Sequence, residues 1–346
     1  MFSANHTRRS NRSLSAAVDR QVKCRSGLGP AIAATAVLLT AILQAARIQA
    51  ADRFAVVITG ASAGPAYAEK YDRWRTSLVS TLKQKFRYDD DHLFVLAETE
   101  SPNVARSTRD NVRRVLDRLR TRLAGDDLLF VVLIGHGTTA DDDDAKFNLV
   151  GPDLSAGEWA GLLKPLPGRL VFVDTTGASS PFLHRLSAPG RIVLTATDSA
   201  AQQFETVFPE FFVKAFDEPG ADLDKNGRVS IWEAFSYASA AVRQWYDQHG
   251  QLPTERALLD DNGDGVGLEA QNPGSDGAVA RAVYLAPETP AAGDSELSRR
   301  RAELERQLDD LRVRKASSAE PGRFDAEIER ILLEIAQLSR GQNRKD

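Results

Sequence analysis

A histidine between two glycines and a hydroxyl-rich turn are the residues here whose types and spacing could support acid–base or nucleophilic chemistry. His136 lies at the end of the apolar run LLFVVLIGHG, and an imidazole that titrates near neutral pH can act as a general base. A second apolar run, LVFVD, ends in Asp174 and leads into Thr176 and Ser179, whose hydroxyls would need a hydrogen-bonded base to attack a substrate. The alternative is a structural histidine beside hydroxyls that only satisfy backbone groups at a buried turn.

The stretch DLDKNGRVSIWE, residues 222–233, matches the twelve-position loop that binds calcium in helix–loop–helix sites. Hard cations need a dense array of oxygen ligands, and Gly227 at position six permits the sharp turn around them. The pattern predicts six calcium ligands: Asp222, Asp224, Asn226, Arg228 through its backbone carbonyl, Ser230 and Glu233. In an exported protein a weak affinity, on the order of 10⁻⁴ to 10⁻³ M, would suffice. The alternative is a solvated acidic turn that caps the following helix.

A second acidic stretch, DDNGDGVG, repeats the first half of this loop. Asp260, Asn262, Asp264 and Gly265 occupy positions one, three, five and six, but position twelve is Gln271. The stretch is therefore either a partial metal loop or a plain Asp/Gly turn.

The elements that must position these residues are short apolar runs alternating with amphipathic segments. Five runs predict strands: FAVVITG (54–60), HLFVLAE (92–98), LLFVVLIGHG (128–137), LVFVD (170–174) and RIVLTAT (191–197). The patterns Ser107-x-x-Asp110 and Ser155-x-x-Glu158 predict helix starts, and another helix is expected from Ser230. Such alternation predicts an α/β fold with a mainly parallel central sheet flanked by helices, and its sites at the carboxyl ends of the strands.

The C-terminal part of the chain changes in character after residue 270. Residues 271–295 are rich in Gly, Pro, Ala and Asp and are predicted to form a linker. In 296–340, Leu and Ile recur at heptad-like spacings among Arg and Glu, which predicts a helical hairpin or coiled coil. The hairpin could pack on itself, on the sheet domain or on a second copy, and a solvated helix pair is the alternative.

The N-terminal 50 residues predict export. A basic start, the apolar run AIAATAVLLTAILQAA and small residues after it are typical of a signal peptide; the alternative is an uncleaved N-terminal anchor, the one expected link to a membrane. We expect a periplasmic or secreted protein. This leader holds the single cysteine, Cys24, so a cleaved chain would have no thiol for a disulfide or a nucleophile.

The rest of the chain is acidic. The leader carries seven of the 44 Lys and Arg and one of the 48 Asp and Glu, which leaves 37 basic and 47 acidic residues, a net charge of −10. Sequence-independent nucleic-acid binding needs a basic surface, so no nucleic-acid partner is expected.

The runs LLFVVLIGHG and LVFVDTT resemble the caspase/legumain superfamily of cysteine peptidases, over about residues 54–246. The resemblance implies an α/β sandwich in which His136 is the base, Gly137 the neighbouring backbone position and Asp174 the acidic residue before the nucleophile. Thr176 stands where the family has its cysteine. The resemblance also implies that Asp198, Ser199 and Gln202 flank a substrate groove.

A threonine hydroxyl is far less acidic than a thiol, so three functions remain open. The chain is predicted foremost to be a catalytically inactive peptidase homologue that binds a peptide or protein in the cell envelope. The alternatives are a hydrolase that uses His136 with Thr176 or a nearby serine, and a calcium-stabilised structural protein.

Overall fold

The computed structural model describes residues 51–139, 144–287, 296–316, 318 and 320–342. The leader predicted at 1–50 and the last part of the predicted linker lie outside these residues. Within the described ranges, no helix has the length and apolar character needed to cross a bilayer.

The strands are labelled in chain order. They are β1 (Arg53–Thr59), β2 (Leu93–Ala97), β3 (Val104–Arg106), β4 (Leu128–Ile134), β5 (Gly137–Thr139), β6 (Ala145–Phe147), β7 (Leu154–Ser155), β8 (Arg169–Asp174), β9 (Arg191–Thr195) and β10 (Leu258–Asp260).

The α-helices are labelled in the same way. They are α1 (Pro65–Ser80), α2 (Arg109–Arg120), α3 (Ala156–Leu163), α4 (Ser180–Leu186), α5 (Phe208–Ala215), α6 (Ile231–His249), α7 (Glu296–Ala316) and α8 (Asp325–Gln342). A π-helical turn, Thr81–Lys85, extends α1, and short 3-10 helices form at Pro219–Ala221, Ala280–Ala282 and Pro321–Phe324.

Seven strands form one central sheet in the order β10-β9-β8-β4-β1-β2-β3. Every neighbouring pair is parallel except β9 and β10, which are antiparallel. The predicted α/β fold with a mainly parallel sheet is therefore confirmed. A small antiparallel sheet, β5-β6-β7, follows the end of β4.

Helices cover both faces of the central sheet, which explains why its strands read as continuous apolar runs. All seven residues of β4 are buried, and successive side chains point to opposite faces. Phe130 and Val132 join the hydrophobic cluster that contains buried residues of α1, α5 and α6. Leu129 and Val131 join the opposite cluster, with residues of α2, α3 and α4.

Local capping fixes where the helices begin. Capping boxes are present at Ser155 with Glu158 and at Ser230 with Glu233. The predicted start at Ser107 is wrong by one residue, because Thr108 caps α2 by accepting a hydrogen bond from the backbone N–H of Asn111.

Residues 271–286 belong to the sheet domain, so the linker predicted from 271 is wrong for this part. Ala280 and Leu285 are completely buried, and Asp276 is 3% exposed. A stretch rich in glycine and alanine has the composition of a linker, but here these small residues allow close packing. A Cβ on Gly277 would lie 2.5 Å from the Trp232 ring.

The two C-terminal helices share a cluster of their own. It contains Leu304, Leu308, Leu311, Phe324 and Ile331. Arg300 pairs with Glu334 at 2.7 Å, and Lys315 pairs with Asp325 at 2.5 Å.

Candidate functional site

The carboxyl ends of β4 and β8 lie side by side, because Leu133 of β4 pairs with Asp174 of β8. Gly137 then packs directly against the turn after β8: a Cβ there would lie 2.0 Å from the carbonyl oxygen of Gly177 and 2.5 Å from Oγ1 of Thr176. No other residue tolerates so close an approach. The structure thus brings together the four residues selected from the sequence, namely His136, Gly137, Asp174 and Thr176.

The His136 imidazole is held by α1 and by the loop after β1. Its Nε2 lies 3.1 Å from the Tyr71 hydroxyl and 3.2 Å from the carbonyl oxygen of Ser62. A carbonyl only accepts hydrogen bonds, so Nε2 carries a proton when it bonds to Ser62. The ring also makes edge contacts with Tyr67 at 4.7 Å and with Tyr71 at 5.5 Å between centroids.

Tyr71 remains a neutral phenol at physiological pH. Burial raises its pKa above the usual value, and the charge of Glu205 and the neighbouring Tyr67 add to the effect. The surroundings of His136 are therefore aromatic and phenolic. Among the described residues, no hydrogen bond joins His136 to Thr176.

Thr176 directs its hydroxyl to Asp174. Oγ1 donates to Oδ1 of Asp174 at 2.7 Å, and the backbone N–H of Thr176 donates to the same oxygen at 3.0 Å. Oγ1 also lies 3.0 Å from the carbonyl oxygen of Gly177. Both Thr176 and Asp174 have an exposed fraction of 0%, so water does not reach this hydroxyl.

Asp174 is a weak acid in this setting. Burial raises its pKa to about 7, although the two hydrogen bonds from Thr176 oppose the shift. Its second oxygen, Oδ2, is buried and has no hydrogen-bond partner in the described part of the chain. The carboxyl group therefore changes its protonation state close to neutral pH.

A loop after β9 closes over the turn that carries Thr176. A Cβ on Gly177 would lie 2.7 Å from the carbonyl oxygen of Phe204 and 3.1 Å from that of Gln202. The backbone N–H of Ala178 donates to Gln202. This stretch, residues 202–204, therefore covers the turn beside Thr176, while Gly137 packs against Thr176 itself. The side chain of Phe204 points outward and is 71% exposed.

Two further contacts fix the loop. Glu205 pairs with Lys70 of α1 at 2.6 Å, and Asp198 pairs with Arg256 at 3.3 Å. The stretch expected to flank a groove thus contributes its backbone at Gln202 as a cover for the turn.

Ser179 and Ser180, the two serines that closely follow Thr176, are both buried. Oγ of Ser179 lies 3.0 Å from Oγ1 of Thr197 and accepts from the backbone N–H of Thr197 at 3.1 Å. This pair joins the turn after β8 to the end of β9. Ser180 is 7% exposed and begins α4.

The loop 222–233 brings three of its predicted ligands together. Carboxylate oxygens of Asp222, Asp224 and Glu233 all lie within 4.8 Å of one another. Desolvation, then the charge of Glu233, raises the pKa of Asp224 to about 6. Such a cluster of acidic groups can hold a cation.

Glu233 uses both oxygens for hydrogen bonds in this structure. Oε1 accepts from the backbone N–H of Leu223 at 2.8 Å, and Oε2 accepts from the N–H and hydroxyl of Ser230 at 2.8 Å each. Ser230 is thus occupied as the helix cap. If a metal ion bound here, its bonds to Glu233 would replace some of these hydrogen bonds.

The remaining predicted ligands shape the loop. The side-chain oxygen of Asn226 accepts from the backbone N–H of Arg228 at 2.8 Å. The Arg228 guanidinium lies 3.8 Å from the Tyr284 ring centroid. Because a guanidinium has no acceptor atom, only the backbone carbonyl of Arg228 is a candidate ligand.

Several residues of these regions were missed from the sequence. Tyr67 and Tyr71 contact His136, and their spacing of four residues on one helix was the available signal. Glu255 caps α5 by accepting from the N–H groups of Val207 and Phe208 at 2.8 and 3.0 Å, and burial raises its pKa to about 7. No local pattern marks Glu255, because its partners lie far away in sequence.

Comparison with known proteins identifies no family, since no family model and no curated protein matches the chain. Among solved structures, the chain is similar to protein GSU0716 from Geobacter sulfurreducens, with 11% sequence identity and a TM-score of 0.40. The similarity covers 60% of this chain and 92% of that chain. A likeness of this degree carries no argument about function, which has to rest on the geometry of the site.

Proposed function

We propose that this chain is a caspase/legumain-like peptidase homologue without a hydrolytic centre, which binds a peptide or protein segment at the carboxyl ends of β4 and β8. The adjacent, parallel pairing of these two strands supports the resemblance. It puts His136 and the Asp174–Thr176 turn at one place, as a peptidase of this superfamily would need.

One observation carries the loss of catalysis: the Thr176 hydroxyl is fully buried and donates to Asp174 at 2.7 Å. A hydroxyl nucleophile needs a base within hydrogen-bond reach and an open path to the substrate. His136 instead contacts Tyr71 and Ser62. The base and the hydroxyl therefore belong to separate hydrogen-bond networks.

The surface beside this buried turn supports binding. Phe204 is 71% exposed, and its neighbour Glu205 pairs with Lys70, whose ammonium lies 6.0 Å from the Tyr67 ring centroid. Tyr67 in turn contacts His136. An exposed aromatic side chain is suited to contact a peptide side chain, because aromatic groups supply much contact area for little conformational entropy.

The hydrolase alternative is tested by incubating the purified chain with fluorophosphonate and acyl-transfer probes. We expect no labelling of Thr176, Ser179 or Ser180, as judged by mass spectrometry. Labelling that disappears in both Thr176→Val and His136→Ala would show an active hydrolase and overturn the proposal.

Binding is tested by selecting peptides from a displayed library on the immobilised protein. We expect the selected peptides to lose affinity at least tenfold for Phe204→Ser and to keep it for Leu333→Ser. Leu333 is a matched control, because it is also exposed, at 57%, but lies on α8. Equal loss in both variants, or no selected peptide, would contradict the binding role.

A calcium site in the loop 222–233 is the second candidate function, favoured by the convergence of Asp222, Asp224 and Glu233 within 4.8 Å. Calcium bound only by the folded state raises the melting temperature. We expect calcium to stabilise the wild type and to stabilise Glu233→Gln much less. An unchanged melting temperature on adding millimolar calcium would contradict the site and, with it, the calcium-stabilised structural role.

Export into the cell envelope, through the leader at 1–50, completes the proposal. Besides a peptide or protein ligand, a second copy of the chain is the partner to test for 296–340. Leu332 and Leu333 of α8 are 44% and 57% exposed. Sedimentation of the wild type and of a Leu332→Ser/Leu333→Ser variant would separate a self-associating helix pair from a monomeric one.

A further inference from the structure

We propose that the loop from Asp260 to Val266 is a second divalent-cation site, in which Asp276 supplies the carboxylate that position twelve lacks. The site goes beyond the proposed function and does not depend on it. The cation would be one that prefers oxygen ligands, with calcium as the first to test.

The backbone of this loop repeats the hydrogen-bond pattern of the loop 222–233. At position one, Oδ2 of Asp222 accepts from the N–H of position six, Gly227, at 2.9 Å. In the second loop, Oδ2 of Asp260 accepts from the N–H of position six, Gly265, at 3.0 Å.

Positions three and five follow the same pattern in both loops. Asp224 accepts from the N–H of position five at 3.0 Å, and Asn262 does so at 2.8 Å. At position five, Asn226 and Asp264 each accept from the N–H of position seven at 2.8 Å. The second loop therefore has the shape of the first, which by itself only describes a turn.

The independent observation concerns Asp276, which lies outside the loop in sequence. Its Oδ1 accepts from the backbone N–H of Asp261, the second residue of the loop, at 3.2 Å. Glu233 makes the corresponding bond in the first loop, from Oε1 to the N–H of its second residue, Leu223. Asp276 thus occupies the place that Glu233 has in the first loop, and Gln271, at the twelfth position itself, is not needed.

The other oxygen of Asp276 has no partner in the described part of the chain. Oδ2 is buried, and the residue as a whole is 3% exposed. Because Oδ1 accepts from the N–H of Asp261, the carboxyl group lies against the loop. A buried carboxylate oxygen without a partner is unfavourable unless a cation or a proton neutralises the group.

The ligand set is inferred from the pattern that the two loops share. The carboxylates of Asp260, Asp264 and Asp276, the amide oxygen of Asn262 and the backbone carbonyl of Val266 would surround the ion. Within the described residues, only the first loop brings three carboxylates within 4.8 Å. The carboxylates of the second loop would have to move closer together to hold the ion, so we expect this loop to bind more weakly than the first.

Binding here would fasten the edge of the sheet. Asp260 is the last residue of β10. Asp261 accepts from the N–H groups of Gly277 and Ala280 at 2.9 and 2.7 Å, so the segment that carries Asp276 already folds back over the loop. A cation would join this segment to β10.

The test is the number of calcium ions bound by the purified full-length chain, measured by native mass spectrometry and by calorimetric titration. We expect two ions for the wild type and one each for Glu233→Gln and Asp276→Asn. The double variant should bind none. Asp276→Asn keeps an oxygen that accepts from Asp261, so the loop can fold without the charge.

Two further variants test whether the loss of an ion results from misfolding. Asp264 is exposed, so Asp264→Asn should fold and still remove the weaker site. Asp247→Asn, at an exposed position of α6, should leave both ions bound.

The outcomes separate the two sites. One ion in the wild type that survives in Asp276→Asn and Asp264→Asn but not in Glu233→Gln would overturn the second site and support the first. One ion that survives in Glu233→Gln but not in Asp276→Asn would support the second site and contradict the first. No binding at all would overturn both.

Discussion

At the scale of single residues, the hydroxyl of Thr176 and the carboxyl of Asp174 form a closed pair with no solvent contact. Donation from Thr176 stabilises the ionised form of Asp174, which burial otherwise disfavours. In this arrangement the Thr176 hydroxyl donates to Asp174, and no hydrogen bond joins it to the His136 imidazole among the described residues. Thr176 is therefore part of the packing of the strand ends.

This pairing predicts the effect of removing the hydroxyl. Thr176→Val keeps the shape of the side chain but removes a hydrogen-bond donor from the buried Asp174. We expect it to lower the free energy of unfolding by about 1–3 kcal/mol at about pH 8, where Asp174 is largely ionised. Thr176→Ser, which keeps the hydroxyl, should cost less. Urea denaturation measures both, and equal losses would show that Asp174 does not need the hydroxyl.

The raised pKa of Asp174 also predicts how stability changes with pH. Its pKa rises from an ordinary 3.8 to about 7 on folding, and that of Glu255 rises from 4.5 to about 7. Between those values the folded state binds more protons than the unfolded state, so the free energy of unfolding falls as pH rises. The stabilisation is complete below about pH 4 for these two groups and is lost above about pH 7.

The measurement is a melting series with a chelator present, from about pH 5 to about pH 8. We expect a lower melting temperature at the alkaline end. Asp174→Asn should reduce the difference, because an amide does not ionise. A melting temperature that rises over this interval in the wild type would contradict the assignment.

At the scale of elements, the site depends on how closely the ends of β4 and β8 approach. Gly137 makes this approach feasible, since a Cβ would lie 2.0 Å from a backbone oxygen that cannot easily move. Gly177 has the same function on the other side, beneath the 202–204 backbone. The two glycines therefore determine the spacing between the strand end that carries His136 and the turn that carries Thr176.

Gly137→Ala should consequently destabilise the protein by about 1–3 kcal/mol or more, because the added methyl group overpacks a contact between backbones. Gly161→Ala is the control. Gly161 lies inside α3, where a Cβ would meet nothing within 4 Å, so alanine should stabilise the helix by about 0.5–1 kcal/mol. Comparable stability of the two variants in urea would mean that the strand ends can separate without loss.

The parts of the fold that the sequence predicts are those that local patterns encode. The five apolar runs correspond to β1, β2, β4, β8 and β9, and the Ser155 and Ser230 patterns mark the starts of α3 and α6. The site residues come together through the order of the strands and through the pairing of Leu133 with Asp174. No local pattern in the sequence predicts that order or that pairing. Parallel strands pair over long sequence distances through crossover helices.

The remaining features arise from contacts that no local pattern contains. The Tyr71 contact with His136 spans 65 positions, and the bond between Asp276 and Asp261 spans 15. The 271–286 stretch was mistaken for a linker because small residues serve both flexible chains and tight packing. Composition does not distinguish these two uses, because the packing of Gly277 against Trp232 exists only in the folded chain.

At the scale of the whole molecule, the loop 222–233 makes a contact between the sheet domain and the C-terminal helix α7. Arg301 of α7 donates to the backbone carbonyl of Lys225 at 3.0 Å and pairs with Glu305 at 2.7 Å. The charge of Glu305 also acts on Asp224. The same loop therefore offers acidic oxygens to a cation and a backbone contact to α7.

If calcium binds this loop as proposed, fixing its backbone should also fix the contact with Arg301. We expect amide hydrogen exchange across 296–310 to be slower with calcium than with a chelator, because fluctuations of the loop would otherwise break the contact. In Arg301→Ala this difference should vanish, while the loop itself still responds to calcium. Arg330→Ala, which removes ion pairs within α8 only, should behave as the wild type. If calcium does not change amide hydrogen exchange in α7 of the wild type, the helices and the loop move independently. A cation at Asp222, Asp224 and Glu233 would then stabilise the sheet domain alone.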